Sequence, residues 1–204
     1  RGDFKFDVTR AGIFTVPLRL PAGFNVDDVQ CDAMDHHETA ADGEGQVLTV
    51  YLTKKVLGQL KLAVVVSQPS TMKSGDLELP LFEPLNVLRE QGLVAAIAPD
   101  SLEVNSDPTK LESARPATPA DLAARGFTPQ PPTGSTVAAA FSFSRRPVKI
   151  GLATRERPRR VLATVATGVS VKEDIVSVTT KINYETQYAG TDTFRFAVPA
   201  ALAD

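Results

Sequence analysis

The 204-residue chain is poor in the residues that most catalytic and metal sites use. It has one cysteine, two histidines and no tryptophan. Cys31 cannot form an internal disulfide, so cysteine content leaves the redox compartment open. The absence of tryptophan, with only 3 tyrosines, argues against an aromatic surface that stacks on sugar rings. Because no nucleophile elbow, phosphate loop or dinucleotide fingerprint occurs either, we expect no cofactor and favour a noncatalytic protein.

Long hydrophobic runs are also missing. Apolar runs such as residues 62–66 have the length of a strand and fall far below the roughly 20 residues that cross a bilayer. We therefore expect no direct membrane insertion of this segment. The basic residues match no nucleic-acid-binding motif and are not interleaved with exposed-looking aromatics, so we expect no nucleic-acid partner.

What the chain does have is alternation of apolar and polar residues with a period of two, which predicts half-buried β-strands. The clearest segments are residues 16–20, 48–52, 60–66, 137–143, 148–152, 161–165, 176–184 and 194–198. Hairpin turns are expected at Asp42-Gly43-Glu44-Gly45 and at residues 155–160. The predicted fold class is mainly all-β, an antiparallel β-sandwich forming one module over residues 1–204.

The middle of the chain departs from this pattern. Most of its 15 prolines fall between Pro69 and Pro132, which predicts an irregular region of turns and short extended pieces. One short helix is expected, with Thr118 as N-cap, Pro119 as first helical residue and Gly126 as its stop. Residues 84–92 fit either a second short helix or an irregular strand. A subdivision of the module into 1–68 and 69–204 is the alternative to a single unit.

The two ends of the chain resemble each other. Phe6 aligns with Tyr184, an offset of 178 residues, and the alignment runs without a gap from 4–26 to 182–204. Apolar positions coincide along it: Val16 with Phe194, Leu18 with Phe196, Leu20 with Val198, and then Pro21-Ala22 with Pro199-Ala200. One interpretation is chance similarity between short alternating strands. We favour the other, in which the chain is a fragment of a longer protein built of tandem modules.

Three segments also carry a resemblance to a known class of proteins. They are Arg89-Glu90-Gln91-Gly92-Leu93-Val94-Ala95, then Ala140-Phe141-Ser142-Phe143, and then Ala189-Gly190 with Phe194, Phe196, Val198 and Pro199. Together they resemble segments of large, uncharacterised bacterial envelope proteins built of tandem β-modules. The resemblance spans most of the chain. It implies an extracytoplasmic parent protein, in the periplasm or cell envelope, and it brings no catalytic residues.

The two histidines are adjacent, in Asp35-His36-His37-Glu38. In an extended strand their rings point to opposite faces, so they cannot ligate one metal together. The candidate cation site is therefore one imidazole with two carboxylates: Asp35, His36 and Glu38. The alternative is a solvated, polar strand end. We favour the alternative, because the spacing matches no recognised metal motif.

The best candidate interaction surface is basic. It is a cluster of seven basic residues, most of them arginines, whose guanidinium groups suit carboxylates and phosphates: Arg145, Arg146, Lys149, Arg155, Arg157, Arg159 and Arg160. The last four lie within six residues of one another and are the proposed contact residues. The cluster predicts contact with an acidic ligand or partner. The competing interpretation is a charged hairpin tip that simply stays in water, which is the more ordinary case.

Three functions are compatible with the sequence. The favoured one is a noncatalytic structural or interaction module of a bacterial envelope or surface protein. Its partner would be a protein or a neighbouring module, with a polymer or glycan as the other choice. The second is a carbohydrate-active hydrolase domain with paired carboxylates, whose separation a sequence cannot show. The third is a binding module for an acidic ligand at residues 155–160.

Overall fold

The computed structural model describes residues 1–43, 45–69 and 74–198, and these residues are mainly β-strand in antiparallel sheets. The first strands are β1 (Gly2–Leu20), β2 (Asn25–Gln30), β3 (Met34–Asp42), β4 (Gly45–Ser67), β5 (Gly75–Glu78) and β6 (Glu83–Pro84). They are followed by β7 (Gly92–Pro99), β8 (Leu102–Glu112), β9 (Ala114–Pro116), the helix α1 (Pro119–Ala124), β10 (Ser135–Phe143), β11 (Lys149–Glu156), β12 (Arg160–Val171) and β13 (Val176–Gln187). The mainly β class predicted from the alternation is confirmed.

β1 and β4 are the long central strands of the first sheet. They pair antiparallel from Gly2, opposite Val64, to Leu20, opposite Gln46. β2 pairs with the end of β4, β3 with its beginning, and β6 with two residues of β1. The turn predicted between β3 and β4 is confirmed: its strands close opposite each other, and Gly43 has a φ of +60°, which glycine adopts freely.

One cluster of buried apolar side chains lines both halves of this sheet. It contains Val16, Leu18, Leu20, Val29, Leu48, Val50, Leu52, Leu60, Leu62 and Val64. Register shifts between Val8 and Thr15 interrupt the β1–β4 ladder, and such irregularities bend a strand pair. A sheet face must be covered by another layer to be buried. The sheet meets this need by curling, so that its two halves share one core.

The second part of the chain holds two three-stranded sheets, with strand orders β7-β10-β9 and β5-β11-β8. Side chains from both sheets meet in a second cluster centred on Phe141, Ile150 and Leu152. The region between Pro69 and Pro132 is thus more regular than predicted. The physical reason is that β6, β7, β8 and β9, which carry prolines of this region, are all edge strands, where a residue without an N–H leaves no ladder bond unmade.

The predicted helix is confirmed at both ends. Thr118 is the N-cap of α1, and its hydroxyl accepts a hydrogen bond from the Asp121 backbone while Asp121 accepts from the Thr118 backbone. Gly126 follows the helix with a φ of +80°, as expected of a stop. Leu122 is its buried residue. Residues 84–92 form no second helix: β6 ends at Pro84 and bends follow it.

β12 and β13 form a two-stranded hairpin that pairs with no other described strand. The hairpin predicted across residues 155–160 is therefore wrong, because β11 takes β5 and β8 as its neighbours. Residues 194–198, predicted as a strand, have no regular secondary structure, since no described strand pairs with them to supply ladder bonds. The Pro199-Ala200 part of the end-to-end alignment lies outside the described residues.

Among the described residues, no helix has the length and apolar character needed to cross a bilayer.

Candidate functional site

The β12–β13 hairpin is amphipathic. Residues directly opposite each other in an antiparallel pair lie on the same side of the sheet, so the register divides the hairpin into two faces. One face, here called the hairpin face, is lined mainly by apolar residues, and a hydroxyl-bonded pair, Thr167 with Thr180, crosses its middle. Its apolar members are Val161, Ala163, Val165, Val169 and Val171 of β12 with Val176, Val178, Ile182 and Tyr184 of β13, and Thr186 lies opposite Val161. The other face carries mainly polar residues, among them Arg160, Thr164, Lys181, Asn183 and Glu185.

The hairpin face is open to solvent. Every residue of β12 is exposed, and in β13 only Ile182, Tyr184 and Gln187 are half-buried. Val165 has 57% and Val169 61% of its surface exposed, whereas the apolar residues of β1 and β4 that face the first core are buried. Exposed apolar patches of this extent are uncommon on soluble monomers, so the hairpin face is the candidate contact surface.

The chain after β13 extends this apolar surface. The ring of Phe194 packs against that of Tyr184, with the centroids 4.3 Å apart. Phe196 and Val198 follow in the same alternating phase, and both are exposed. The sequence pattern predicted the apolar phase of these residues. The pattern does not predict that these residues are exposed, because alternation does not show which strand, if any, packs against the apolar side.

The structure brings Asp35, His36 and Glu38 together on β3. His36 Nδ1 lies 2.9 Å from an oxygen of Asp35, and its Nε2 lies 3.9 Å from an oxygen of Glu38. The imidazole stacks on the ring of Tyr51 at 4.4 Å, and the Tyr51 hydroxyl donates to Glu38 at 3.3 Å. His36 and His37 face opposite sides, as expected, because they oppose successive residues of β4.

This polar group is a surface hydrogen-bonding arrangement. All three members are exposed, and in the described part of the chain no group of three or more His, Cys, Asp or Glu residues has an arrangement that could hold a metal ion. Cys31 is half-buried and packs against the first core. It occupies the position of a small apolar residue.

The four arginines lie at the junction between the sheets and the hairpin, and they do not form a tip. Arg155 lies near the end of β11 opposite Glu103, and Arg160 opens β12. The backbone of Arg157 donates to the Ser101 carbonyl at 2.8 Å. Its guanidinium lies 5.4 Å from the ring centroid of Tyr188, within the range of a cation–π contact. Arg159 lies between the two strands, in the short connection.

Within the described residues, no ion pair joins any of these four arginines to an acidic side chain. Their guanidinium groups are accordingly directed at solvent or, for Arg157, at an aromatic ring. They place positive charge at the end of the hairpin where β11 connects to β12.

A paired-carboxylate site would need an acid whose pKa is raised by burial. Among the described residues no acidic side chain is buried. The acidic residues Asp76, Glu78 and Glu112 line an open depression of about 490 Å³, where Lys110 Nζ lies 2.6 Å from Asp76. Nearby, hydrogen bonds from the Thr109 hydroxyl and backbone lower the pKa of Asp107, which is the opposite of what a general acid requires.

With this geometry in hand, comparisons with protein families, curated proteins and solved structures find no match. The hairpin face is therefore the candidate site on structural grounds alone.

The sequence does not predict the bidentate ion pair between Arg146 and Glu90. Arg146 donates through Nε and Nη2 to the two carboxylate oxygens of Glu90, at 2.7 and 2.8 Å, and Nη2 also donates to the Phe82 carbonyl. The guanidinium lies 5.8 Å from the ring centroid of Phe143. This fork-to-fork pair is half-buried and joins segments 56 residues apart. Arg146, which the sequence groups with the basic cluster, is therefore paired with Glu90 and does not share the exposed position of Arg155, Arg157, Arg159 and Arg160.

Proposed function

We propose that the chain is a noncatalytic interaction module of a bacterial envelope or surface protein, and that the hairpin face is its contact surface for a neighbouring protein module. One observation carries the proposal: a mainly apolar, exposed face, crossed only by the pair of Thr167 and Thr180, on a hairpin that pairs with no other strand in the described chain. A two-stranded hairpin alone is marginally stable in water. Covering its apolar face would remove that surface from water and stabilise it.

The remaining sheets act, in this proposal, as the rigid base of the module. The two three-stranded sheets share the cluster of Phe141, Ile150 and Leu152, which supports an arrangement as the two layers of a small β-sandwich. The junction arginines add positive charge at one end of the hairpin, and protein interfaces combine an apolar centre with polar surroundings. The extracytoplasmic location rests on the resemblance to envelope proteins and on no structural feature.

A second candidate is the binding of an acidic ligand at residues 155–160. Exposed guanidinium groups without ionic partners among the described residues favour it. Binding at this site would weaken steeply with salt, because exposed charges are screened over about 10 Å at 0.1 M ionic strength. Binding through the hairpin face would persist. The paired-carboxylate hydrolase has no comparable observation in its favour.

The test replaces apolar residues of the hairpin face by threonine, which keeps a β-branched shape. In the wild-type chain, the dye anilinonaphthalene sulfonate should bind with a rise in fluorescence, and β12 and β13 should exchange amide hydrogens faster than β4. In the variant Val165→Thr/Val169→Thr/Ile182→Thr, dye binding should be largely lost. Thermal unfolding of the sheets should change by less than about 0.5 kcal/mol, as for other surface substitutions.

Ile97→Thr serves as the matched control, because Ile97 is an exposed β-branched residue on β7, outside the hairpin. It should leave dye binding intact. If β12 and β13 exchange as slowly as β4 in the wild-type chain, the hairpin is packed and the proposal is wrong.

A further inference from the structure

The strand pairing changes at aligned points in the two ends of the chain. β1 loses its register with β4 between Val8 and Ile13. At the aligned positions β13 ends at Gln187, and Tyr188 takes a φ of +72°. The β1–β4 ladder is thus interrupted at the point of the alignment where the β12–β13 ladder ends.

The apolar faces also agree in phase. Phe4 and Phe6 pack on the first core, and their counterparts Ile182 and Tyr184 lie on the hairpin face. After the interruption, both stretches return apolar residues to the same side. Phe6 shares the first core with Val16, and the equivalent pair, Tyr184 and Phe194, is in ring contact.

The two stretches differ in what covers them. Leu18 has no exposed surface, whereas its counterpart Phe196 is 67% exposed. The strand that pairs with residues 2–20 is β4. β13 pairs with β12 along one edge, and its other edge has no strand beside it in the described structure. What the second stretch lacks is therefore a strand equivalent to β4.

We propose that the hairpin face is covered by a β4-type strand of a following copy of this fold, in the same polypeptide. This inference rests on the proposed function and names the partner of its contact surface. β13 and residues 190–198 act as β1 of that copy, and β12 becomes an additional strand on its sheet. The covering strand pairs with the free edge of β13 and brings apolar residues equivalent to Leu48, Val50, Leu60 and Leu62 onto the hairpin face.

The experiment adds the missing strand in the phase of the repeat. Asp204 aligns with Val26, so a copy of residues 27–68 is fused directly after Asp204. This segment contains β3 and β4 and most of β2. Hydrogen exchange is then compared between the extended and the original chain. Amides of residues 180–187 and 191–198 should exchange roughly tenfold more slowly, or slower still, in the extended chain.

The matched control carries the same extension with serine at the copied Leu48, Val50, Leu60 and Leu62. Its length and strand pattern are kept, while the apolar face is removed. It should leave exchange in residues 180–198 at the rate of the original chain. Equal protection by both extensions, or by neither, overturns the proposal.

A cross-link checks the register. Phe6 lies opposite Leu60 in the β1–β4 ladder, so Tyr184→Cys should form a disulfide with cysteine at the copied Leu60, once Cys31 and its copy are alanine. Cysteine at the copied Lys61 is the control, because a shift by one residue turns the side chain to the other face. Equal cross-linking at both positions contradicts the proposal.

Two outcomes distinguish a failure of this inference from a failure of the proposed function. If the extension gives no protection while the threonine variant still loses dye binding, the hairpin face is a contact surface for some other partner. If the original chain gains protection at residues 180–198 as its concentration rises, the cover is a second molecule, and the assignment to the same polypeptide is wrong.

Discussion

Residues 4–20 and residues 182–198 carry the same apolar phase in two different settings. In the first stretch, Val16, Leu18 and Leu20 are buried in a core shared with β4. In the second, the aligned Phe194, Phe196 and Val198 are exposed. Alternation fixes which side of a strand is apolar. Whether that side is buried depends on strands that come from elsewhere in the chain. Among the described residues, the first stretch pairs with β4 and is buried there, whereas the second has only β12 beside it.

The sharpest test of this difference is truncation of the same aligned position in both stretches. Leu18→Ala should lower the free energy of unfolding by about 2–5 kcal/mol, because it removes a fully buried side chain and leaves a cavity. Phe196→Ala should cost less than about 0.5 kcal/mol, as expected of an exposed residue. Urea denaturation followed by circular dichroism measures both. Losses of similar size would show that residues 182–198 are covered in solution.

The same contrast explains which parts of the fold the sequence predicts. Features set by residues a few positions apart were predicted correctly: the Thr118 cap and the turn at Gly43. The hairpin at 155–160 was wrong, because the neighbours of β11 are β5 and β8, which lie many residues earlier. Local alternation contains no term for such long-range pairing.

For the candidate site, the sequence predicts the alternating residues of β12 and β13 but not their isolation. It points to Arg155–Arg160 as a tip, whereas the structure places these residues at the base of the hairpin. The ion pair of Glu90 with Arg146 carries no sequence signal, since it joins two segments by tertiary contact alone. The sequence predicts which side of each strand is apolar. It does not predict whether other parts of the chain cover that side.

A second test compares polar contacts in the sheets and in the hairpin. Arg146→Ala removes a bidentate, half-buried ion pair and leaves the Glu90 carboxylate without its partner. We expect a loss of about 1.5–3 kcal/mol in unfolding free energy, the range for hydrogen bonds to charged groups. Thr180→Val removes the contact between the Thr167 and Thr180 hydroxyls, 3.1 Å apart on the exposed hairpin. It should be neutral within about 0.5 kcal/mol.

Arg146→Lys is the control for this pair, because it keeps the positive charge and loses the planar fork. It should recover only part of the stability that the alanine variant loses. Full recovery would show that the charge alone matters. An Arg146→Ala variant with unchanged unfolding free energy would show that the pair does not stabilise the protein in solution.

The smallest expected effect concerns pH, and it too should distinguish the sheets from the hairpin. Hydrogen bonds from the Thr118 backbone and hydroxyl lower the pKa of Asp121 below its usual value of 3.8. A carboxyl group with a lowered folded pKa stabilises the protein above its unfolded pKa and loses that contribution as pH falls through the folded value. Asp121→Asn should therefore be less stable than wild type near neutral pH, and this difference in unfolding free energy should close below about pH 3.9.

Hydrogen exchange should show the lost stability around α1 and β10, which α1 contacts, with β12 and β13 unchanged. A gap that persists at acid pH would assign the effect to the amide side chain, and a change in the hairpin would show that its stability is coupled to that of the sheets.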